Sequence, residues 1–272
     1  MSRKDETSAW FSRIPVVPLA LVLMGACMTS QADAGPGYVD LELVLAVDAS
    51  DSMSRTEKLV QRYGYIAALR SAEVAAAITA RGALALSYVE WAGPHEQRIV
   101  VPWSILADAE DANRFADALA VAPLSPGFVS PPWETGTSIS QALLFATGMF
   151  SAPSGTQQII DISGDGTNNS GDALSTAREH VVAAGITING LPVITRGGRS
   201  DAPLGAYYAD CVIGGPGAFV MTVDDPSLFA LAIRRKLVLE IAGPPARLMH
   251  ADYRTNVGAA TDCGDIGPRT SR

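Results

Sequence analysis

Three side chains that carry oxygen atoms stand at alternate positions in the segment Asp48-Ala49-Ser50-Asp51-Ser52. This segment directly follows the apolar run Leu41–Val47, which predicts a buried strand. Alternate side chains of an extended chain point to the same side, so Asp48, Ser50 and Ser52 can converge on one point. Oxygen ligands without Cys or His suit a hard divalent cation such as Mg²⁺, Mn²⁺ or Ca²⁺. An ordinary Ser/Asp turn before a helix is the alternative interpretation of so short a pattern.

Strand-like apolar runs alternate with helical patterns along the chain, which predicts an α/β fold with a mainly parallel sheet and helices on both faces. The predicted strands are Val39–Val47, Ala83–Trp91, Arg98–Trp103, Gln157–Ile162, Ile186–Leu191 and Ala218–Val223. The predicted helices are Thr56–Leu69, Ala72–Ala80, Glu110–Ala120, a helix from Ser138 to about Phe150, Asp172–Ala184, and a last helix that Asp225 caps, with Pro226 at its first position and Gly243 beyond its end. A hairpin around Gly93-Pro94 makes the second and third strands an antiparallel pair. No internal repeat or long linker divides these elements, so we expect one domain.

Two further oxygen-bearing residues fall where this topology can use them. Thr137 comes just before the helix that begins at Ser138, and Asp165 follows the predicted strand Gln157–Ile162. In an open parallel α/β sheet, ligands bind at the carboxyl ends of the strands. Asp48 and Asp165 therefore belong at one edge of the sheet, and the loop that carries Thr137 can reach it.

In this order, Asp48, Ser50, Ser52, Thr137 and Asp165 resemble the metal-ion-dependent adhesion site (MIDAS) of the von Willebrand factor type A (VWA) superfamily. The resemblance covers roughly Asp40 to Ala242. It implies a Rossmann-like, doubly wound, mainly parallel sheet with one antiparallel edge strand. It also implies that the Ser and Thr hydroxyls coordinate one divalent cation, with Mg²⁺ expected and Mn²⁺ or Ca²⁺ as alternatives. The two Asp would act through bound water or as direct ligands.

In that superfamily the site usually serves binding and not catalysis. The resemblance therefore implies a protein or peptide partner whose Asp or Glu side chain completes the shell of the metal. The segments Gly64-Tyr65, Ser163–Asn169 and Cys211–Phe219 are also similar to a bacterial group of exported VWA-like proteins, which supplies no ligand. Asp51 departs from many relatives, which have Gly there. Either its carboxylate biases the site toward Ca²⁺ or raises the affinity for the metal, or it points to solvent.

The N-terminus has the layout of a secretory signal peptide. Arg3, Lys4 and Arg13 precede the apolar stretch Ile14–Met24, and the small residues of Ala32-Asp33-Ala34 offer a cleavage point. The apolar stretch is too short for a membrane span. We therefore expect residues 1–34 to be removed, and the mature chain to be periplasmic or secreted without a membrane span.

Cysteine usage agrees with export. The alternative to cleavage after Ala34 is a lipoprotein signal at Met24-Gly25-Ala26-Cys27, in which Cys27 carries a lipid; Met24 in place of the usual Leu makes this the weaker interpretation. Cleavage after Ala34 leaves two cysteines, Cys211 and Cys263, and an even number in an exported protein favours a disulfide over two free thiols. The expected organisation is a VWA-like domain over residues 35–245 and a tail over residues 246–272 that the disulfide tethers to it.

Composition and the remaining motifs narrow the function classes. The chain has 20 Lys+Arg against 28 Asp+Glu and no basic run, which argues against nucleic acid as a partner. Thr135-Gly136-Thr137-Ser138 is similar to the nucleophile segment of subtilisin-like proteases, but His95 in a hairpin turn is a poor general base. Trp133, close to Thr137, is a candidate partner contact. A metal-dependent hydrolase and a structural module with a vestigial site remain the alternatives to a binding protein.

Overall fold

The computed structural model describes residues 39–124, 136–151, 156–194, 204–223 and 228–243, together with Thr261 and Cys263. These residues all belong to one compact unit, Gly35–Arg272. The predicted signal peptide, Trp133, the predicted helix cap at Asp225-Pro226 and most of the predicted tail lie outside the described residues. Within the described ranges, no helix has both the length and the apolar character needed to cross a membrane.

The core of the fold is a five-stranded sheet in the order β3-β2-β1-β4-β5. Its strands are β1 (Leu41–Asp48), β2 (Leu84–Trp91), β3 (Gln97–Leu106), β4 (Gln157–Gly164) and β5 (Thr187–Pro192). All neighbouring pairs are parallel except β2–β3, so β3 is an antiparallel edge strand. The chain builds outward from β1 in one direction and then from β4 in the other. The strand order therefore switches between β1 and β4, which is where open α/β sheets form a ligand-binding crevice.

Strand β1 is buried on both faces because it lies in the middle of this sheet. Leu43 and Leu45 belong to one hydrophobic cluster, and Val44 and Ala46 belong to another. Since alternate side chains of a strand point to opposite faces, the two clusters are the cores on the two sides of the sheet. This explains why the sequence of β1 shows a continuous apolar run instead of an alternating pattern.

Helices cover both faces. They are α1 (Arg55–Leu69), α2 (Ala72–Arg81), α3 (Ala109–Val121), α4 (Ile139–Thr147), α5 (Leu174–Ala183), α6 (Leu204–Tyr207) and α7 (Phe229–Ala242), and α6 continues into a π-helix over Tyr208–Val212. Helices α1, α2, α3 and α7 contribute to the first cluster, whereas α4, α5, α6 and the π-helix contribute to the second. The doubly wound, mainly parallel sheet predicted from the sequence is confirmed.

The patterns Ser54-x-x-Glu57 and Ser138-x-x-Gln141 are typical of capping boxes, but only one of them forms a complete box. The Ser54 side chain accepts from the Glu57 amide while the Glu57 carboxylate accepts from the Ser54 amide, so the box at the start of α1 is complete. Ser138 also caps α4, but the Gln141 amide side chain donates to Asp172 instead of reaching back. Helix α4 ends at Thr147, before the predicted end near Phe150.

Within the described residues, the predicted sixth strand, Ala218–Val223, forms only two isolated parallel bridges, from Val220 to Gly190 of β5 and from Val223 to Val193 just beyond it. The Gly190 amide donates to Phe219, and the Val223 amide donates to the Pro192 carbonyl. The ladder bond between these two would need an amide hydrogen on Pro192, which proline lacks. Pro192 therefore interrupts the pairing, and the prediction of a regular strand here was wrong.

A buried polar cluster holds α7 against the sheet. Lys236 of α7 lies 2.7 Å from Asp161 of β4 and also pairs with Glu240, one turn further along the helix. Asn189 of β5 donates a 2.9 Å hydrogen bond to the same Glu240 oxygen. All four side chains are buried, so these contacts replace the water that each group would otherwise bind.

A disulfide joins Cys211 in the π-helix to Cys263, as the cysteine count predicts. Their Cα atoms lie 5.4 Å apart. Thr261, two residues earlier, donates a hydrogen bond to the Asp210 carboxylate. The described part of the tail is thus fastened to the π-helix by one covalent and one polar contact.

Candidate metal centre

Asp48 is the last residue of β1, at the switch point of the sheet, and its side chain is buried. Its Oδ1 accepts a 2.7 Å hydrogen bond from the Ser50 amide, which turns the chain sharply after the strand. The Gln61 side chain donates a 3.3 Å bond to the Asp48 carbonyl. The second carboxylate oxygen, Oδ2, accepts no hydrogen bond within the described residues. An orphaned carboxylate oxygen in a buried position is suited to a cation or an unpaired donor.

A line of short polar contacts connects the loop after β1 to the loop after β4. The Ser50 and Ser52 hydroxyl oxygens are 2.9 Å apart, and Ser52 donates a 2.8 Å hydrogen bond to Oδ1 of Asp165. A serine has one hydroxyl hydrogen, and Ser52 gives it to Asp165, so Ser50 is the donor toward Ser52. The predicted convergence of these residues is present in the structure.

Thr137 approaches the same edge from the loop before α4. Its side chain is buried, and its Oγ1 lies 3.7 Å from the point that a Cβ on Gly166 would occupy, next to Asp165. The Thr137 amide donates 2.8 Å to the Asn169 side chain, and the Asn169 amide donates 2.9 Å to the Thr137 carbonyl. These two bonds tie the loop that carries Thr137 to the loop after β4.

Gly136 permits this approach. Its φ is +148°, and a Cβ there would lie 2.6 Å from the Ser170 hydroxyl and 2.7 Å from the Asn169 side-chain oxygen. Any other residue would separate the two loops or displace Asn169. The glycine before Thr137 is therefore part of what positions the site.

Burial dominates the electrostatics of the two carboxylates. Burial raises the pKa of Asp48 from 3.8 to about 7; hydrogen bonds from Ser50 oppose this rise and the charge of Asp165 adds to it. Burial also raises the pKa of Asp165, against the hydrogen bond from Ser52, and among nearby charges Glu57 raises it and Lys58 lowers it. The hydrogen bonds and Lys58 thus offset only part of the cost of burying these two negative charges. A cation between the two carboxylates would reduce this cost further.

The residues present fit a hard divalent cation. Within the described part of the chain, no group of three or more His, Cys, Asp or Glu side chains is placed to hold a metal, so a cation at this edge would be held largely by hydroxyl oxygens. Ser50, Ser52 and Thr137 supply hydroxyls, while Asp48 and Asp165 supply two carboxylates. Ser52 is exposed and Asp165 is partly exposed, so solvent and ligands can reach this set. The neighbouring Asp51 is exposed, which agrees with the interpretation that it points to solvent.

The sequence did not predict that two further residues, Tyr207 and Tyr208, support the site. The Tyr208 hydroxyl is fully buried and lies near Asp48, whose charge is, after burial, the main reason why the pKa of Tyr208 is well above its usual value. Tyr207 accepts a 3.0 Å hydrogen bond from the Asn168 amide, in the loop after β4. The only sequence signal for these contacts is a pair of tyrosines within a Gly-rich segment, and it does not show which strand end they contact.

One protein family and several solved structures are similar to this chain. The sequence profile of one family, described as Protein of unknown function (DUF1194), matches residues 38–245. The chain belongs to the DUF1194 family. The matched residues include every described strand and helix and all five predicted metal ligands. A comparison of the DUF1194 chain with the curated proteins found no match.

Solved structures with the same fold include three that cover about three quarters of the DUF1194 chain. Proximal thread matrix protein 1 from the mussel byssus has 15% identity and a TM-score of 0.54 over 75% of this chain and 48% of its own. The pilus adhesin SpaC from Lactobacillus rhamnosus GG has 13% identity and a TM-score of 0.54 over 76% of this chain and 30% of its own. A von Willebrand factor type A protein from Catenulispora acidiphila has 16% identity and a TM-score of 0.54 over 75% and 43%.

These similarities show the fold of the DUF1194 chain, which it shares with the von Willebrand factor type A protein and the other two structures. The chain spans less than half of the length of each of the three solved structures. The activities of those larger proteins therefore come to this chain only as proposals.

Proposed function

We propose that this protein is an exported binding protein that holds one divalent cation at Asp48, Ser50, Ser52, Thr137 and Asp165. The cation, Mg²⁺ with Mn²⁺ or Ca²⁺ as alternatives, would bind an Asp or Glu side chain of a protein or peptide partner. The observation that carries this proposal is the polar line from Ser50 through Ser52 to Asp165 at the switch point of the sheet, beside the orphaned Oδ2 of Asp48.

The donor set supports a cation that keeps affinity for a further anion. Three of the five side chains carry neutral hydroxyls. Only the two carboxylates carry negative charge, so together they can neutralise the two positive charges of the ion but cannot exceed them. Such an ion remains electrophilic toward a carboxylate, which is a preferred ligand of Mg²⁺ and Ca²⁺. When bound, the ion would supply an electrostatic contact for a ligand that reaches the edge of the sheet.

The degree of burial supports access from one side only. Asp48 and Thr137 are buried, whereas Ser52 is exposed and Asp165 is partly exposed. A partner therefore reaches the site along the side of Ser52 and Asp165, while the side of Asp48 is closed by the protein.

Export is part of the proposal. It rests on the predicted signal peptide of residues 1–34 and on the disulfide between Cys211 and Cys263, because disulfides persist mainly in oxidising compartments. We propose a periplasmic or secreted domain of residues 35–245 with a tail of residues 246–272 tethered to it. Lipid attachment at Cys27 is the alternative form of export.

Isothermal titration calorimetry with Mg²⁺, Mn²⁺ and Ca²⁺ tests the metal site. We expect one ion per chain, and a loss of binding in Asp48→Asn and in Ser50→Ala. Ser104→Ala is the matched control, because Ser104 lies on the edge strand β3 and its hydroxyl donates to the Pro102 carbonyl of the same strand. Absence of binding, or binding unchanged in Asp48→Asn, would reject the metal site.

Capture of partners from an envelope extract tests the binding function. We expect a partner that the parent protein retains in Mg²⁺ and releases in EDTA, and that Asp165→Ala does not retain. A free aspartate-containing peptide should compete with it, and the matching asparagine peptide should not. Metal binding with metal-dependent hydrolysis and no retained partner would favour the hydrolase alternative instead.

A further inference from the structure

The Tyr208 hydroxyl is a polar group that the fold buries beside the candidate metal centre without a partner. Tyr208 is 0% exposed, and its hydroxyl oxygen has no hydrogen bond within the described residues. Oδ2 of Asp48 is also buried and has no hydrogen bond within the described residues. A buried hydroxyl and a buried carboxylate oxygen that both lack partners each cost folding free energy, so their proximity calls for an explanation.

Gly164, the last residue of β4, shows how close the two groups are. A Cβ built on Gly164 would lie 2.8 Å from Oδ2 of Asp48 and 2.9 Å from the Tyr208 hydroxyl oxygen. The two oxygens thus border the same small space, which exists only because residue 164 has no side chain.

The backbone around Tyr208 is built to hold the ring in this place. Tyr208 begins the π-helix, in which the Ile213 amide donates 3.0 Å to the Tyr208 carbonyl. π-Helical turns occur frequently at functional sites. The preceding residue, Tyr207, fastens the segment to Asn168 in the loop after β4, and Cys211 fastens it to Cys263. Position 208 is therefore fixed from both sides.

We propose that Tyr208 is a positioning residue of the metal centre, whose hydroxyl donates a hydrogen bond to Oδ2 of Asp48, directly or through one water, when the cation is bound. An ionised carboxylate only accepts hydrogen bonds, so the tyrosine must be the donor. Donors of this kind orient a ligand and hold its charged form, and their loss typically weakens metal binding by about 10–100-fold. The inference rests on the metal site proposed above.

The test compares Tyr208→Phe with Tyr65→Phe. Tyr65 is equally buried, but its hydroxyl has a partner, because it donates a 3.4 Å hydrogen bond to the Ser163 hydroxyl. We expect Tyr208→Phe to bind Mg²⁺ or Mn²⁺ about tenfold more weakly than the parent protein in calorimetry. Tyr65→Phe should keep the affinity of the parent.

Two readouts separate positioning from a merely structural role. The metal-free melting temperature of Tyr208→Phe should be equal to or higher than that of the parent, because the variant removes an unpartnered hydroxyl. The ultraviolet difference spectrum of tyrosine on metal addition should be lost in Tyr208→Phe and kept in Tyr65→Phe. A lower metal-free melting temperature with unchanged affinity would mean a structural role and overturn the inference.

The outcomes distinguish this inference from the function on which it rests. If the parent and Tyr208→Phe bind the ion equally well, or if the tyrosine difference spectrum survives in Tyr208→Phe, the inference is overturned and the metal site stands. If the parent binds no divalent ion, both are overturned.

Discussion

Ser52 donates a 2.8 Å hydrogen bond to Asp165, which lies 113 residues further along the chain. The bond bridges the loops that follow β1 and β4, the two strands between which the order of the sheet switches. Ser52 thereby donates its single hydroxyl hydrogen to a carboxylate. Its oxygen lone pairs remain available to accept a hydrogen bond from Ser50 and to face the open side of the site.

A divalent ion should stabilise the fold. Asp48 and Asp165 repel each other when both are ionised, and a cation held between their loops removes that repulsion. At 100 times its dissociation constant the ion should add about 2.7 kcal/mol to the free energy of unfolding. Urea unfolding in Mg²⁺ and in EDTA measures the difference. Ser52→Ala should lose this increment and Ser104→Ala should keep it, whereas identical curves for the parent in the two buffers would contradict the prediction.

Gly164→Ala should damage the site through a steric contact. Its Cβ would lie 2.8 Å from Oδ2 of Asp48 and 2.9 Å from the Tyr208 hydroxyl, closer than van der Waals contact allows. We expect a loss of about 1–3 kcal/mol in stability and weaker metal binding. Gly148→Ala is the control, because its nearest neighbours would be at 3.5 Å and 3.8 Å. Chemical denaturation and calorimetry on the two variants provide the comparison, and equal behaviour would refute the steric argument.

Much of this site could be predicted because its residues are tied to strand ends. The apolar runs before Asp48 and Asp165 are visible in the sequence, and parallel strands bring their carboxyl ends to one edge. The same reasoning predicted the two-sided helical layers and the antiparallel β3. The position of Thr137 followed from its place just before a capped helix.

Other features depend on contacts that no local pattern shows. The Tyr208 hydroxyl lies near Gly164 and Asp48 because it begins a π-helix, which has no periodicity in the sequence. The buried set of Asp161, Lys236 and Glu240 forms only when α7 packs on β4. The broken pairing of residues 218–223 was in principle visible, because Pro192 removes one ladder donor, but only once the partner strand is known.

The disulfide should contribute substantially to stability. Cys211 and Cys263 are 52 residues apart in sequence, so the bond restricts a long loop of the unfolded chain. Cys211→Ser with Cys263→Ser should lower the free energy of unfolding by about 2–4 kcal/mol. Urea unfolding of the double variant measures the loss, and the parent protein after reduction should match it. A parent whose stability does not change on reduction would show that the tether contributes nothing.

Glu240 should make stability depend on pH. Burial, followed by the charge of Asp161, raises the pKa of Glu240 from 4.5 to about 8, against the opposing effects of Lys236 and Asn189. Because the folded value lies above the unfolded one, the protonated form favours the fold. The contribution is complete below about pH 4.5 and is lost as the pH rises to about 8, at up to about 1.4 kcal/mol per pH unit.

Glu240→Gln should remove this dependence, because a glutamine keeps an oxygen for Lys236 and Asn189 but cannot ionise. Urea unfolding at several values between pH 5 and pH 8, about the window set by the two pKa values, should show the parent losing stability relative to Glu240→Gln as the pH rises. Glu110→Gln serves as the control, since Glu110 pairs with Arg114 on the exposed surface of α3 and such pairs contribute little. Parallel pH profiles for the parent and Glu240→Gln would show that Glu240 is not protonated in the folded protein at neutral pH.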